Sequence, residues 1–347
     1  MEGFYGTPQS HSGSQKHAQV MKGPIQVAFD ITNKCNFRCA HCYNNSGENN
    51  FVSKELSDDE VLNFIHDIAK LKPFNFCFCG GEPLLRLDVL LKSAKILASH
   101  GVIVSLVTNG FLLTENIAAN LYKNGVKRVQ VSIDGSNPES HEKLRRVPKS
   151  FDRAINAVRH FRKAGFKDIS VAFCPTKFNY SEIEQVYELC LSLGVKDLRV
   201  QPMMPLGRAS QNLDFIPSVY EYRKIVSKIM QLRNRSCDKI MIDWGDPVDH
   251  LVRFRTITQH CVAYVSILAD GSIAVSPYIP LLVGNIRRHS FSDYWEAGLA
   301  RIWELPMVKK YADPVFSVTS MGKKREGEPH VWFDEPILVD IVENQLI

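Results

Sequence analysis

Three cysteines, Cys35, Cys39 and Cys42, stand in the run TNKCNFRCAHCYN with the spacing CxxxCxxC. Thiolates placed this tightly suit a soft metal: zinc, copper(I) or iron–sulfur. Structural zinc takes four ligands, commonly from two paired knuckles, and no second CxxC pair exists here. His41 adjoins Cys42, an awkward place for a fourth tetrahedral ligand. A cubane iron–sulfur cluster held by three cysteines leaves one iron open, and an open iron can chelate a small molecule. The other six of the nine cysteines (Cys77, Cys79, Cys174, Cys190, Cys237, Cys261) are scattered and read first as small core hydrophobes.

The elements that must position this loop show a clear rhythm. Strands are expected at 24–32, 74–79, 102–107, 128–133, 168–174 and 198–202. Helices are expected at 58–72, 87–99, 114–124, 151–164 and 181–193. Six strands alternating with helices mean βαβ units and a parallel sheet. The strands also alternate within themselves: Val129, Val131 and Ile133 against Gln130, Ser132 and Asp134, or Phe74, Phe76 and Phe78 against Asn75, Cys77 and Cys79. A flat sheet covered on both faces would be apolar throughout. One polar face implies a curved, barrel-like sheet around a wet cavity, with the active site at the C-terminal strand ends. Six strands are too few to close an eight-stranded barrel.

Length and composition narrow the function classes. The 347 residues are 45% hydrophobic and 23% charged, ordinary for a globular protein of about two domains. No run of 18 apolar residues offers a membrane span. The first 20 residues lack the apolar core of a signal peptide, so a cytoplasmic location is expected. A net charge of +5 is too mild to argue for nucleic acid.

CxxxCxxC after the first strand resembles the cluster motif of the radical S-adenosylmethionine superfamily, whose partial (β/α)6 barrel fits the alternation. Gly80, Gly81 and Glu82 in GGEP resemble the segment that binds the methionine amino group. Asn109 ends strand three in TNG. Ser132 and Asp134 in SIDG stand where the family contacts ribose and methionine. His141 and Arg145 resemble an HxxxR segment whose arginine pairs with the methionine carboxylate. His41, with Tyr43 beside the last cysteine, stands near where an aromatic residue packs on adenine. The resemblance implies one 4Fe–4S cluster and S-adenosylmethionine as cofactors. Reductive cleavage would give a 5′-deoxyadenosyl radical that abstracts a substrate hydrogen. No flavin or nicotinamide fingerprint is evident, so a flavodoxin or ferredoxin is the expected reductant.

The second half resembles the SPASM or twitch extension of maturases: Cys261, an Asp270-Gly271 hairpin, GNI and a helix at 291–305 with Trp295. The auxiliary-cluster cysteines of that extension are missing; Ser276 stands where one is common. The expected organisation is a tail at 1–20, the barrel at 21–205, a connection at 206–260, the α+β extension at 261–310 and a tail at 311–347. The extension is expected to close the barrel as a lid, with Cys237 or Cys261 a candidate hydrogen-atom donor. The expected substrate is a ribosomally made peptide, epimerised or cross-linked. A small molecule such as a tetrapyrrole and a non-catalytic iron–sulfur or zinc protein are the alternatives. Only 34 residues precede Cys35, too few for a peptide-binding module, which makes a separate recognition protein a candidate partner. A basic run from Lys143 to Lys167 reads as a solvated helix face or a dock for an acidic leader peptide or reductase.

Overall fold

Strand β1 (Gln26–Thr32) buries Val27, Phe29 and Ile31 and leads directly into the cysteine loop. The computed structural model describes residues 23–47, 55–236, 239–256, 264–318, 336–343 and 345–346. Beside β1 lie, in order and all parallel, β2 (Asn75–Gly80), β3 (Ile103–Thr108), β4 (Val126–Ser132), β5 (Asp168–Phe173), β6 (Asp197–Val200) and β7 (Met241–Trp244). Helices α1 (Asp58–Leu71), α2 (Leu87–Ser99), α3 (Glu115–Lys123), α4 (Pro138–Arg145), α5 (Ser150–Lys163) and α6 (Ile183–Leu193) connect the first six. Helix α7 (Val219–Ser236) leads into β7, and α8 (Pro247–Thr256) follows it.

The alternation in the strands is realised in space. Phe76, Phe78, Val131, Val171 and Val200 are fully buried under the helices. Their neighbours Cys79, Gln130, Ser132, Ser170 and Ala172 are half-buried on the other face. Phe74 differs: pairing starts at Asn75, so Phe74 precedes the sheet and is 70% exposed. Helix α1 starts at a Ser57–Glu60 capping box and sets Phe64 on Phe29, ring centroids 5.4 Å apart. Helix α4 carries one large apolar residue, Leu144, in eight positions. It forms because Asn137 caps it and Pro138 opens it, which periodicity does not reveal.

The second half is built into the same sheet. Strand β8 (Tyr264–Ile267) pairs parallel with the free side of β1. β9 (Ser272–Ala274), β10 (Leu281–Asn285), β11 (Ile337–Asp340) and β12 (Gln345–Leu346) extend the sheet outward from β8. The 291–305 helix is shorter than expected. Helix α9 (Phe291–Glu296) stops before Gly298 at φ 118°, a 3₁₀ segment runs Leu299–Glu304, and α10 (Pro306–Ala312) restarts at proline. Asp67 of α1 caps α9 by accepting the Phe291 and Ser292 N–H groups at 2.8 and 3.3 Å, and Arg287 pairs with Glu60 at 2.6 Å. No helix among the described residues is long and apolar enough to cross a membrane.

Candidate active site

The cysteine loop is fastened from several sides. The Ala40 N–H donates to Leu144 O at 2.9 Å, and Arg38 ties Cys35 O to Gly47 O. Buried Arg208 donates from Nε to Cys39 O at 3.1 Å and from Nη2 to Ser46 O at 2.9 Å; Asn212 reaches Ala40 O. A Cβ on Gly207 would stand 2.5 Å from Tyr43 O. The three thiols share one loop: Cys35 and Cys39 both feel the charge of Cys42, and Cys39 also feels Cys35. Burial pushes the Cys39 thiol up to about 12 and raises Cys35 as well. Three neighbouring thiols, two of them held up by burial, ionise together only against a cation, so the donor set fits a metal cluster.

The exit of β2 runs against the start of this loop. A Cβ on Gly80 would lie 2.2 Å from Thr32 O, and one on Gly81 2.1 Å from Lys34 O, so only glycine fits. The Gly81 and Glu82 N–H groups donate to Thr32 O and Lys34 O at 2.8 and 2.9 Å. Glu82 is fully buried. Its Oε1 accepts from Thr108 Oγ1 at 2.7 Å and Leu84 N at 3.2 Å, and its Oε2 from Asn109 N at 2.8 Å. A carboxylate has about four acceptor sites, so Oε2 has one to spare. Burial raises the Glu82 carboxyl; the three hydrogen bonds oppose it. The Asn109 side chain donates to Asn36 Oδ1 at 2.9 Å, joining β3 to the loop.

Beyond β4 sits a buried charge network. Asp134 Oδ2 accepts from Arg145 Nε at 2.6 Å and lies 3.4 Å from His41 Nε2; Oδ1 accepts from Cys174 N at 2.9 Å. Burial would raise the Asp134 carboxyl, but Arg145, His41 and His141 outweigh it and hold it below the usual range. Arg145 Nη1 lies 3.9 Å from Cys39 Sγ. His141 is fully buried and accepts the Asp134 N–H on Nδ1 at 3.1 Å, so its proton is on Nε2. Burial lowers His41 to about 4 and His141 to about 3, leaving both neutral at pH 7. His41 Nδ1 and His141 Nε2 have no hydrogen-bond partner among the described residues.

The structure thus links Cys39 through Arg145 to Asp134, and the loop to Glu82 and Asn109 through Gly81 and Asn36. Ser132 closes β4 just before Asp134. Tyr43 leaves the loop toward the polar interior of the sheet, where Asp30, Tyr264 and Cys79 raise its phenol further after burial. Cys237 and Cys261 lie outside the described residues. Arg208, Gly207 and Asn212 are supporting residues that motif reading did not assign; the first two lie in the PMMPLGRA passage, and Asn212 follows it with no signal of its own.

Residues 29–190 match the radical SAM superfamily, and the chain carries a radical SAM domain. It is 29% identical over 296 residues to AdoMet-dependent heme synthase of Methanosarcina barkeri, covering 80% of this chain and 83% of that one. It is also 29% identical over 206 residues to mycofactocin maturase MftC of Mycolicibacterium smegmatis, covering 59% of this chain and 51% of the relative. In fold it resembles Streptococcus suis SuiB bound to S-adenosylmethionine, with TM-score 0.63, 15% identity and coverage of 83% of this chain and 69% of that one. anSMEcpe with bound AdoMet gives TM-score 0.64 at 19% identity, over 85% of this chain and 84% of that one. Residues 29–190 thus form a radical SAM domain, of the superfamily of enzymes that use a 4Fe–4S cluster and S-adenosylmethionine, and the chain as a whole shares the fold of SuiB and anSMEcpe.

Proposed function

We propose that the enzyme removes a hydrogen atom from a peptide held against the polar face of the sheet. Together the cluster and S-adenosylmethionine supply a carbon radical for this step. Cys35, Cys39 and Cys42 would hold the cluster. The spare lone pair on Glu82 Oε2 suits the methionine ammonium, and the outer nitrogens of Arg145 suit its carboxylate. Neutral His41 and Tyr43 would flank the adenine, with Asn109, Ser132 and Asp134 fixing the rest. The observation that carries this reading is the buried continuity from the thiol loop to Glu82 and to the Asp134–Arg145 pair.

The peptide assignment draws on MftC, named a maturase, and on SuiB, whose fold has been seen bound to precursor peptide SuiA. A second reading, tetrapyrrole side-chain chemistry, is favoured by one observation: the likeness to heme synthase continues through the second half of the chain. A flavodoxin or ferredoxin would be the reductant, and a separate peptide-recognition protein a further partner. The extension would cover the substrate, excluding water from the radical.

The test is anaerobic turnover with dithionite and S-adenosylmethionine, presented in parallel with genomically adjacent short peptides and with iron-coproporphyrin III. A peptide altered at an α-carbon or newly cross-linked supports the first reading. Loss of carbon dioxide and hydrogen from a propionate selects the second. No 5′-deoxyadenosine in any arm overturns both.

A further inference from the structure

Two thiols meet inside the sheet, away from the cluster loop. Cys77 and Cys79 are i and i+2 on β2, so their side chains share one face, the polar one. Cys79 Sγ donates to Cys77 Sγ at 3.4 Å. In register, Cys79 stands beside Asp30 on β1, and Cys77 stands between Ala28 on β1 and Ser105 on β3. Cys79 immediately precedes Gly80, which puts it at the strand ends where Tyr43 and Tyr264 also feel its charge.

We propose that Cys77 and Cys79 form a redox-active dithiol that quenches carbon radicals in the barrel. Cys79 gives its hydrogen atom to the radical: the S–H bond breaks, a C–H bond forms and a thiyl remains. Cys77, losing its proton to water, bonds to that thiyl to give a disulfide radical anion. One electron then passes to an oxidised flavodoxin- or ferredoxin-class protein, leaving a disulfide that a small dithiol reduces back to two thiols.

The asymmetry of the pair matches these roles. The hydrogen bond from Cys79 lowers the Cys77 thiol, helped by Ser105 and by Arg199. The same hydrogen bond, with burial, raises Cys79, which therefore keeps the hydrogen that it must deliver. Cα atoms two residues apart on a strand are about 6.6 Å apart, near the upper limit for a disulfide. A bridge there forms within reach yet reduces readily. The inference rests on the radical reading of the site but not on the identity of the substrate.

The experiment uses cluster-loaded enzyme, reduced by one electron per cluster and freed of excess dithionite, then mixed with S-adenosylmethionine and oxidised flavodoxin in D₂O, without added thiol or substrate. The expected 5′-deoxyadenosine carries one deuterium, and mass spectrometry finds a Cys77–Cys79 disulfide accumulating with it. Cys79→Ser should still cleave S-adenosylmethionine but lose most of the deuterium, at least fivefold. Cys77→Ser should keep the deuterium and form no disulfide. Deuterium content unchanged in Cys79→Ser, or the absence of any disulfide in the unmodified enzyme, overturns the proposal, whatever the fate of the variants. Absence of 5′-deoxyadenosine in the unmodified enzyme would instead count against the radical reading.

Discussion

Replacing Glu82 by glutamine separates a ligand-holding carboxylate from a structural one. The carboxylate accepts three hydrogen bonds while fully buried, two of them from backbone N–H groups of Leu84 and Asn109. An amide keeps one acceptor oxygen. Whichever way it turns, its NH₂ faces one of those backbone donors, because Leu84 N and Asn109 N address different oxygens. One buried N–H loses its partner, costing about 2–3 kcal/mol. Relief of the buried charge offsets part of this. In a chain of this size the melting temperature should fall by roughly 2–4 °C. The ammonium of S-adenosylmethionine would lose a charged partner worth about 1.5–3 kcal/mol, a weakening of about 10- to 150-fold. Iron content should hold, since the carboxylate is not a thiol ligand. The assay is equilibrium binding of S-adenosylmethionine to cluster-loaded variant, with iron counted in the same sample. Unchanged affinity beside a lowered melting temperature would show that Glu82 only braces the exits of β2 and β3.

Cys39→Ala should abolish the cluster absorbance, and the unmodified enzyme should hold about four irons per chain; about eight would reveal a second cluster in the extension, for which the chain after residue 200 offers only Cys237 and Cys261. Arg208→Ala leaves Cys39 O and Ser46 O without their buried donor; iron content after reconstitution should fall by half or more, and full occupancy would remove Arg208 from the cluster site. His141 is held neutral, with its folded pKa near 3 below the ordinary 6.5, so its contribution to stability is complete above pH 6.5 and drains away as pH falls toward 3. Chemical denaturation between pH 7 and 4 should show a stability loss of up to about 3 kcal/mol that is absent in His141→Gln; equal slopes in the two proteins would exclude His141 as the cause.

Most of the barrel was legible because its chemistry is local. CxxxCxxC, the two glycines before Glu82 and the alternation of Val129, Gln130, Val131 and Ser132 each declare themselves within a few residues. What stayed hidden depends on contacts across the chain. Arg208 looks like any surface arginine until its guanidinium is found under Cys39 and Ser46. The Asp270-Gly271 hairpin was readable, but its seat beside β1 was not, since register between distant strands leaves no local mark. The single helix expected over 291–305 broke because Gly298 and Pro306 outweighed its apolar spacing. Cys77 and Cys79 had the composition of packing residues, and only their mutual approach distinguishes them.

The parallel pairing of β1 with β8 sets a timetable for biosynthesis. Gln26 finds Tyr264 only after more than two-thirds of the chain has been made. At about 5–20 residues per second, that interval is on the order of 10–50 s. Through it the apolar strand bearing the cysteine loop has one flank uncovered, and such an edge is a template for misassociation. Cys35, Cys39 and Cys42 leave the ribosome well before the strand that completes their sheet. Their exposure to oxygen and adventitious metal is therefore longest during synthesis, and slow translation under aerobic conditions should yield more aggregated, iron-poor enzyme than fast anaerobic expression.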